Sequence, residues 1–309
     1  YFKNTPDSFV SHSWSANPTL KHIALAMAQY KGLAYIVANV TLICLITCLS
    51  STLSNSLSFL IAYLTSLISF LLSLFYGCHL PGYTDSMVFF DKCCICQTNK
   101  VSKLRGIWGL SSYLARSNEL LVLWSSDYFK RLWCVFEVAS FVQQHSMTRN
   151  IRLVSIRQMK FSFVFFTVEV LAVVTISTLH ILSIQASSTR PYYFGMLAVS
   201  LLLACCWGLA IVYEYLPHRL DLDRQVRQFS IADGECLLEQ DKLLIHEVIK
   251  NWYGSLEAFE KYVRDNKEYI TNRNRPWTIG FFTFAITSLP MELACVGRMI
   301  VCCCNTEDM

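Results

Sequence analysis

The sequence predicts an α/β protein whose parallel sheet is interrupted by, and attached to, transmembrane helical hairpins. Three observations predict it. Apolar residues make up 54% of the 309 and charged residues only 16%, where a soluble chain averages about a quarter charged. Residues 32–84 contain no Asp, Glu, Lys or Arg at all. The polar remainder alternates short apolar strands with amphipathic helices, the pattern of a parallel sheet. A net charge of +4 without a basic run leaves no electrostatic footprint for nucleic acid, and the apolar content excludes a disordered or collagen-like chain.

A bilayer core needs ~20 apolar residues per helix. Leu33–Leu49 and Leu57–Tyr76 qualify, separated by the polar tract Ser50–Ser56, which reads as a tight hairpin loop. Phe161–Ile184 and Tyr192–Leu216 form a second pair joined by Gln185–Pro191. Thr278–Cys303 is long enough, but it contains Pro290, Glu292 and Arg298, so it spans, re-enters or lies in the interface. Two hairpins return the chain to the side it left, placing residues 1–31, 78–160 and 217–276 in one compartment. Of 26 Lys and Arg residues, only Arg190 falls in a loop on the far side and only Arg298 in the ambiguous stretch; the other 24 share one side. The positive-inside rule makes that side cytoplasmic.

Each polar block has its own pattern. Ser8–His12 is a short β-rich run, and Pro18–Tyr30 carries Leu20, Ile23, Ala24 and Met27 at helical spacing. Met87–Phe90 reads as a strand ending at Asp91, and Lys103–Ser117 as a helix with Leu104, Ile107, Leu110, Tyr113 and Leu114 on one face. Leu120–Trp124 is a fully apolar strand. Arg131–Gln144 is a helix bearing Trp133, Phe136, Val138, Ala139 and Phe141, and Ile151–Ile156 is the last strand. Parallel sheets bind ligands beyond the carboxyl ends of their strands. In the third block, Pro217–Arg275, 10 basic residues nearly balance 11 acidic ones, so no single-sign surface is built there. Leu238, Ile245, Val248, Ile249 and Trp252 form one helical stripe, and Ser255 caps a second helix bearing Phe259, Tyr262 and Val263. This hairpin packs either on the α/β unit or on the membrane surface.

The fourteen cysteines do not form a disulfide framework. Cys44, Cys48, Cys205, Cys206 and Cys295 lie in hydrocarbon-like stretches, Cys302–Cys304 follow one, and the rest scatter, as reduced cytosolic thiols do. Cys93, Cys94 and Cys96, with Cys78 and His79 upstream, contain no paired Cys-x-x-Cys unit, so no metal is expected. Gly106-x-x-Gly109 is too short a fragment for a dinucleotide fingerprint. Cys302–Cys304 reads either as a palmitoylation site or as an apolar tail. The chain opens at Tyr1 with neither a methionine nor a cleavable signal, so a truncated N-terminus is expected. Glu169, with His180 three turns on along the same face, could begin an ion path, but a single carboxylate near the cytosolic end reads as reaching headgroup water or hydrogen-bonding a neighbouring helix.

The order of the α/β pieces resembles a TIR domain of the plant type. Asp7-Ser8-Phe9-Val10-Ser11-His12 is similar to the first-strand box, and Val88-Phe89-Phe90-Asp91 to the second strand. Gly106 and Ser117 stand where the family places a glycine and a serine around the next helix. Leu121-Val122-Leu123-Trp124-Ser125-Ser126-Asp127-Tyr128, then Trp133-Cys134-Val135-Phe136-Glu137-Val138, resembles the family's strand, Ser-x-x-Tyr turn and Trp-Cys-x-x-Glu helix. Ile151–Ile156 fits the fourth strand. The likeness covers roughly residues 7–157. The wording from Arg131 to Glu137 is also similar to multi-pass TIR-like membrane proteins of protists.

The resemblance implies a flavodoxin-like sheet of four strands in the order 2-1-3-4, since the chain turns apolar soon after Ile156. Residues 1–31 and 78–157 would form this domain, with 32–77 an inserted transmembrane hairpin and 158–216 a second one. Residues 217–276 are a charged amphipathic helical region, and 277–309 a candidate fifth membrane segment with a Cys-rich tail. It also implies cleavage of NAD⁺, as substrate rather than cofactor, to nicotinamide and ADP-ribose or a cyclised form. The catalytic glutamate maps onto Glu137. Nicotinamide leaves as a neutral base, so a fixed carboxylate can stabilise the oxocarbenium-like ribose. Ser11, His12 and Trp14 after the first strand, and Asp91 to Gln97 after the second, would line the pocket with Trp133. Residue type alone makes Trp14 and Trp133 packing residues, and leaves His12 open between binding phosphate and capping a turn. Glu137 is expected at an exposed rim near the helix amino end, ionised and favoured there by the helix dipole.

Three functions remain. The first is a membrane-anchored TIR-like signalling protein, an NAD⁺ hydrolase active on self-association. The second is a non-catalytic module recruiting partners at the bilayer. A transporter, the third, needs a polar pathway for which Glu169 is nearly the whole supply. The charge distribution generates one prediction: cysteine labelling should find Asp91 and Glu257 positions on the same membrane face, and labelling from opposite faces would contradict it.

Overall fold

The computed structural model describes residues 6–49, 55–80, 87–95, 109–145, 150–182, 220–236 and 239–272, with isolated positions between and beside them. The chain divides into two compact units. One gathers Tyr1–Leu25, Gly82–Met159 and Leu216–Arg275; the other gathers Ala26–Pro81, Lys160–Tyr215 and Pro276–Met309.

The first unit is built on four strands: β1 (Ser8–His12), β2 (Val88–Phe90), β3 (Glu119–Trp124) and β4 (Asn150–Ser155). They pair in parallel in the order β2-β1-β3-β4. The first strand therefore lies between the second and third, as expected. Register aligns Ser11 with Val122 and Leu123 with Val154, so the carboxyl ends of β1 and β3 lie side by side. Phe9, Leu120, Leu121 and Leu123 have no exposed surface, consistent with a parallel sheet covered on both faces.

The helices follow the apolar stripes, with shifted ends. Helix α1 (Pro18–Leu49) starts from Asn17, whose Oδ1 accepts from the backbone N–H groups of Thr19 and Leu20 at 2.9 and 3.2 Å. Asn before Pro is a strong start, because Pro18 has no N–H to leave unsatisfied. The sequence suggests a soluble helix ending at Tyr30 and a separate membrane helix from Leu33; the chain instead makes one helix of 32 residues. Nothing between Lys31 and Leu33 breaks it, since a single helical glycine costs only about 1 kcal/mol. Helix α2 (Asn55–Tyr76) precedes β2, the short α3 (Asp91–Cys94) follows it, and α4 (Leu110–Arg116) precedes β3. The expected residues 103–108 of the Lys103–Ser117 helix lie outside the described residues.

Helix α5 (Leu132–His145) covers the sheet with Val135, Val138, Phe141 and Val142 buried. After β4, Ser155 Oγ accepts the Gln158 N–H at 3.3 Å and starts α6 (Ile156–Leu182), so no loop separates sheet from apolar helix. The third polar block packs on the α/β unit rather than apart from it. Its helices α7 (Glu239–Tyr253) and α8 (Leu256–Asp265), with α9 (Lys267–Asn272), send Ile245, Ile249, Phe259, Val263 and Ile270 into the sheet domain's core. Ser255 caps α8 through Ala258 N–H at 3.0 Å. Trp252 stacks on Phe136 at 5.6 Å, and Tyr253 Oη donates to Ala139 O at 3.0 Å.

In the second unit α1 and α2 form an antiparallel hairpin. Ser66 Oγ donates to Ala38 O at 2.9 Å, Ser58 Oγ to Leu49 O at 3.1 Å, and Tyr35 meets Phe70 at 5.1 Å. Among the described residues, two stretches, Pro18–Leu49 and Leu60–His79, are long and apolar enough to cross a membrane. Ile36, Val40, Ile43, Ile68 and Leu72 point outward. Described positions between 195 and 213 are helical, and Thr278–Cys303 lies outside the described residues.

Phe141 joins α5 to the sheet with no exposed surface. Phe141→Ala should cost about 3–5 kcal/mol in denaturant unfolding of the detergent-solubilised protein. A loss below about 1 kcal/mol would mean that α5 does not pack on the sheet as described.

Candidate functional site

The carboxyl ends of β1, β2 and β3 bring polar residues to one edge. After β1 the chain enters a loop at Ser13, and Lys21, buried in the first turns of α1, donates from Nζ to Ser13 O at 3.2 Å. After β3, Ser125 to Tyr128 form a turn in which the Tyr128 N–H reaches Ser125 O at 3.0 Å. Asp127 ties the two together. Ser125 Oγ donates to its Oδ1 at 2.6 Å, Ser13 Oγ to its Oδ2 at 2.7 Å, and Ser15 Oγ also donates to Oδ2. Arg131 Nε lies 3.6 Å from the same carboxylate. Partial burial pushes the Asp127 carboxyl up, but hydrogen bonds from Ser125, Ser15 and Ser13 outweigh it and hold the group well below the usual carboxylate range.

Beyond β2, Asp91 opens α3 and accepts the Trp14 indole N–H at 2.7 Å. Its other oxygen lies 3.8 Å from His12 Nε2, and the His12 ring stacks on Phe90 at 4.7 Å. The turn after β3 is held from outside as well. Glu235 N–H donates to Lys130 O at 2.6 Å, Leu132 N–H donates to Glu235 O at 3.1 Å, and Arg131 Nη1 lies 3.3 Å from Glu235 Oε2.

Glu137 sits beneath this edge on α5. Ser11 Oγ donates to its Oε2 at 2.5 Å, and Ser11 Oγ is 2.5 Å from Tyr128 Oη. Glu137 is 8% exposed, and both Ser11 and Tyr128 have no exposed surface. The expected exposed, ionised rim carboxylate is therefore corrected. Burial pushes the Glu137 carboxyl up to about 8, opposed by the Ser11 hydrogen bond and reinforced by the Asp91 charge. The helix dipole does not rescue it, because Glu137 is the sixth residue of α5 and the dipole's effect fades beyond the first turn. Burial likewise drives the Tyr128 hydroxyl and the Cys134 thiol upward.

Ser11, His12, Trp14, Asp91 and Glu137 thus meet at one edge. Trp14 is 54% exposed, so it is not the packing residue its type suggests. Trp133 lies edge-on to Phe136 at 5.7 Å and packs against the core. Gln97 lies outside the described residues. Tyr128, Asp127, Ser13 and Cys134 also belong to the site, although the sequence marks Asp127, Tyr128 and Cys134 only as parts of the turn and helix motif. The signal was present in the apolar strand followed by Ser125-Ser126-Asp127-Tyr128, where an acidic residue amid serines marks a turn that binds another loop. Among the described residues no His, Cys, Asp and Glu cluster could hold a metal ion.

Comparison with family models, with curated proteins and with solved structures gives no match.

The buried carboxyl links stability to pH. Below about 4.5 Glu137 is protonated whether folded or unfolded; between there and about 8 only the folded chain keeps the proton. Folded stability should fall as pH rises through that window, by on the order of a few kcal/mol in all, and level off above it. Glu137→Gln should remove this dependence, melting well above wild type at pH ~8.5 and close to it at pH ~5. Parallel melting curves for the two proteins across this range would contradict a buried carboxyl.

Proposed function

We propose that this chain is a membrane-anchored, TIR-like signalling protein that hydrolyses NAD⁺ to nicotinamide and ADP-ribose or its cyclic form. In this reading the sheet domain is flavodoxin-like and Glu137 is the catalytic carboxylate. The observation that carries it is the Glu137 carboxyl held under the joined carboxyl ends of β1 and β3, hydrogen-bonded to Ser11. Ligands of open parallel sheets bind at that edge, and a carboxyl displaced to about 8 by burial is the kind of perturbed group that marks working sites.

In the reaction the ribose–nicotinamide C–N bond breaks with its electrons leaving on the neutral pyridine. The positive charge left on the ribose is met by the Glu137 carboxylate, and water or an adenine nitrogen closes the new bond. His12, Asp91 and Trp14 stand around the approach, with the Trp14 ring exposed. Glu137 serves only when ionised and reached by substrate, so the buried, neutral group is a resting state. Self-association through the sheet domain is the change that would open it. Outward apolar residues on α1 and α2 support anchoring in a lipid bilayer. The skew of Lys and Arg supports a multi-pass arrangement with the polar segments facing the cytoplasm.

One observation favours a non-catalytic module that recruits partners at the bilayer: Glu137 is only 8% exposed. Incubating the detergent-solubilised protein with NAD⁺ and separating the products distinguishes the two. Hydrolysis predicts nicotinamide release that climbs with pH and reaches a plateau above about 8. Glu137→Ala should lower turnover by at least about 100-fold with normal membrane insertion. No nicotinamide from concentrated wild-type protein at pH ~9, or unchanged turnover in the variant, would leave the interaction module.

A further inference from the structure

Tyr128 is fully buried, yet a phenylalanine would fill nearly the same space. Its hydroxyl needs a partner there, since a buried hydroxyl left without a hydrogen bond is destabilising. Ser11 Oγ, 2.5 Å away, is that partner. Ser11 Oγ also lies 2.5 Å from Glu137 Oε2. A hydroxyl has one proton to donate. When Glu137 is ionised its oxygen can only accept, so Ser11 gives its proton to Glu137 and accepts one from Tyr128. The three groups form a chain with one direction, from Tyr128 through Ser11 to Glu137. Such chains strengthen each link, because a hydroxyl that accepts becomes a better donor.

The tyrosine is rigidly placed to do this. Its backbone N–H is bonded to Ser125 O at 3.0 Å, its ring meets Phe129 edge-on at 5.2 Å, and the preceding Asp127 is clamped by three serines. Other ionisable groups on the surrounding elements are His12 on β1, Lys21 on α1, Asp91 on α3, Asp127 in the turn, and Arg131 and Cys134 beside α5 and on it. Glu235 and, on α7, His246 and Tyr253 are further such groups. The hydrogen bond that reaches the Glu137 carboxyl comes instead from the Ser11 hydroxyl.

We propose that Tyr128, acting through Ser11, is a positioning residue that holds the Glu137 carboxylate in its reactive orientation. The proposal rests on the reading of Glu137 as the reactive carboxylate, but it can be measured without turnover. The titration of Glu137 in the full detergent-solubilised chain is followed by isotope-edited infrared spectroscopy, with Glu137→Gln identifying the carboxyl band. Ser11→Ala should raise the midpoint by about one to two pH units. Tyr128→Phe, which keeps the ring and the fold, should raise it by less but measurably, and Ser11→Thr, which keeps the hydroxyl, should restore the wild-type value. The pH profile of nicotinamide release should move by the same amounts. An unchanged midpoint in Tyr128→Phe would overturn the proposal, whether or not Ser11→Ala shifts. If Ser11→Ala does not fold, the Tyr128→Phe midpoint alone decides. Shifted midpoints with no nicotinamide released by any variant would support the positioning chain and remove the hydrolase reading.

Discussion

A carboxyl group shut away from water must be neutral or well hydrogen-bonded, and this constraint organises the edge of the sheet. Glu137 projects from α5 beneath the ends of β1 and β3, where water cannot solvate its charge. Ser11 meets it from β1, and Tyr128 meets Ser11 from the turn after β3. For those groups to coincide, β1 and β3 must be parallel neighbours in register, and the turn after β3 must lie against the loop after β1. Asp127 enforces the second condition by taking hydrogen bonds from Ser13 and Ser15 on one side and Ser125 on the other. The two carboxylates divide the work by environment: the partly open Asp127, surrounded by donors, stays charged and fastens loops, while the sealed Glu137 holds its proton.

Much of this was legible in the sequence. Four strands and the apolar faces of the helices between them follow from periodicity, because sheet and helix bury different residue spacings. The grouping of Ser11, His12, Asp91 and Glu137 was expected from the resemblance to TIR domains, which puts the first three at strand ends and the last on one helix. The environment of Glu137 was not legible. Helical spacing puts it at the margin of a stripe containing Trp133, Phe136 and Phe141, but the loops and β1 close over that margin from residues distant in the chain. Local pattern cannot register such a cover. Trp14 fails in the opposite sense. Its size predicts burial, whereas its indole N–H is held by Asp91 at the site's edge with the ring exposed.

Helix boundaries at the membrane stretches were also hidden, for a different reason. Hydropathy separates a soluble helix ending at Tyr30 from an apolar one starting at Leu33, yet a helix ends only where a cap, a proline or a competing partner stops it. None intervenes, and α1 runs unbroken from Pro18 to Leu49. The same holds after β4, where Ser155 starts α6 directly. The charged block from 217 onwards shows the reverse case. Its apolar stripe is legible but not the surface it covers, and the stripe supplies Ile245, Ile249, Phe259 and Val263 to the core over α5. Glu235, from the same block, adds a backbone clasp on the turn that carries Tyr128.

In the proposed function a nicotinamide nucleotide binds at the edge where β1, β2 and β3 end. Hydrogen–deuterium exchange of the solubilised protein, with and without a non-hydrolysable NAD⁺ analogue, tests it most directly. Binding there should slow exchange in residues 11–15, 87–95 and 125–137, the segments carrying Ser11, Asp91, Tyr128 and Glu137, and nowhere else. Unchanged exchange in these segments at saturating analogue, or protection centred on α7 and α8 instead, would contradict it.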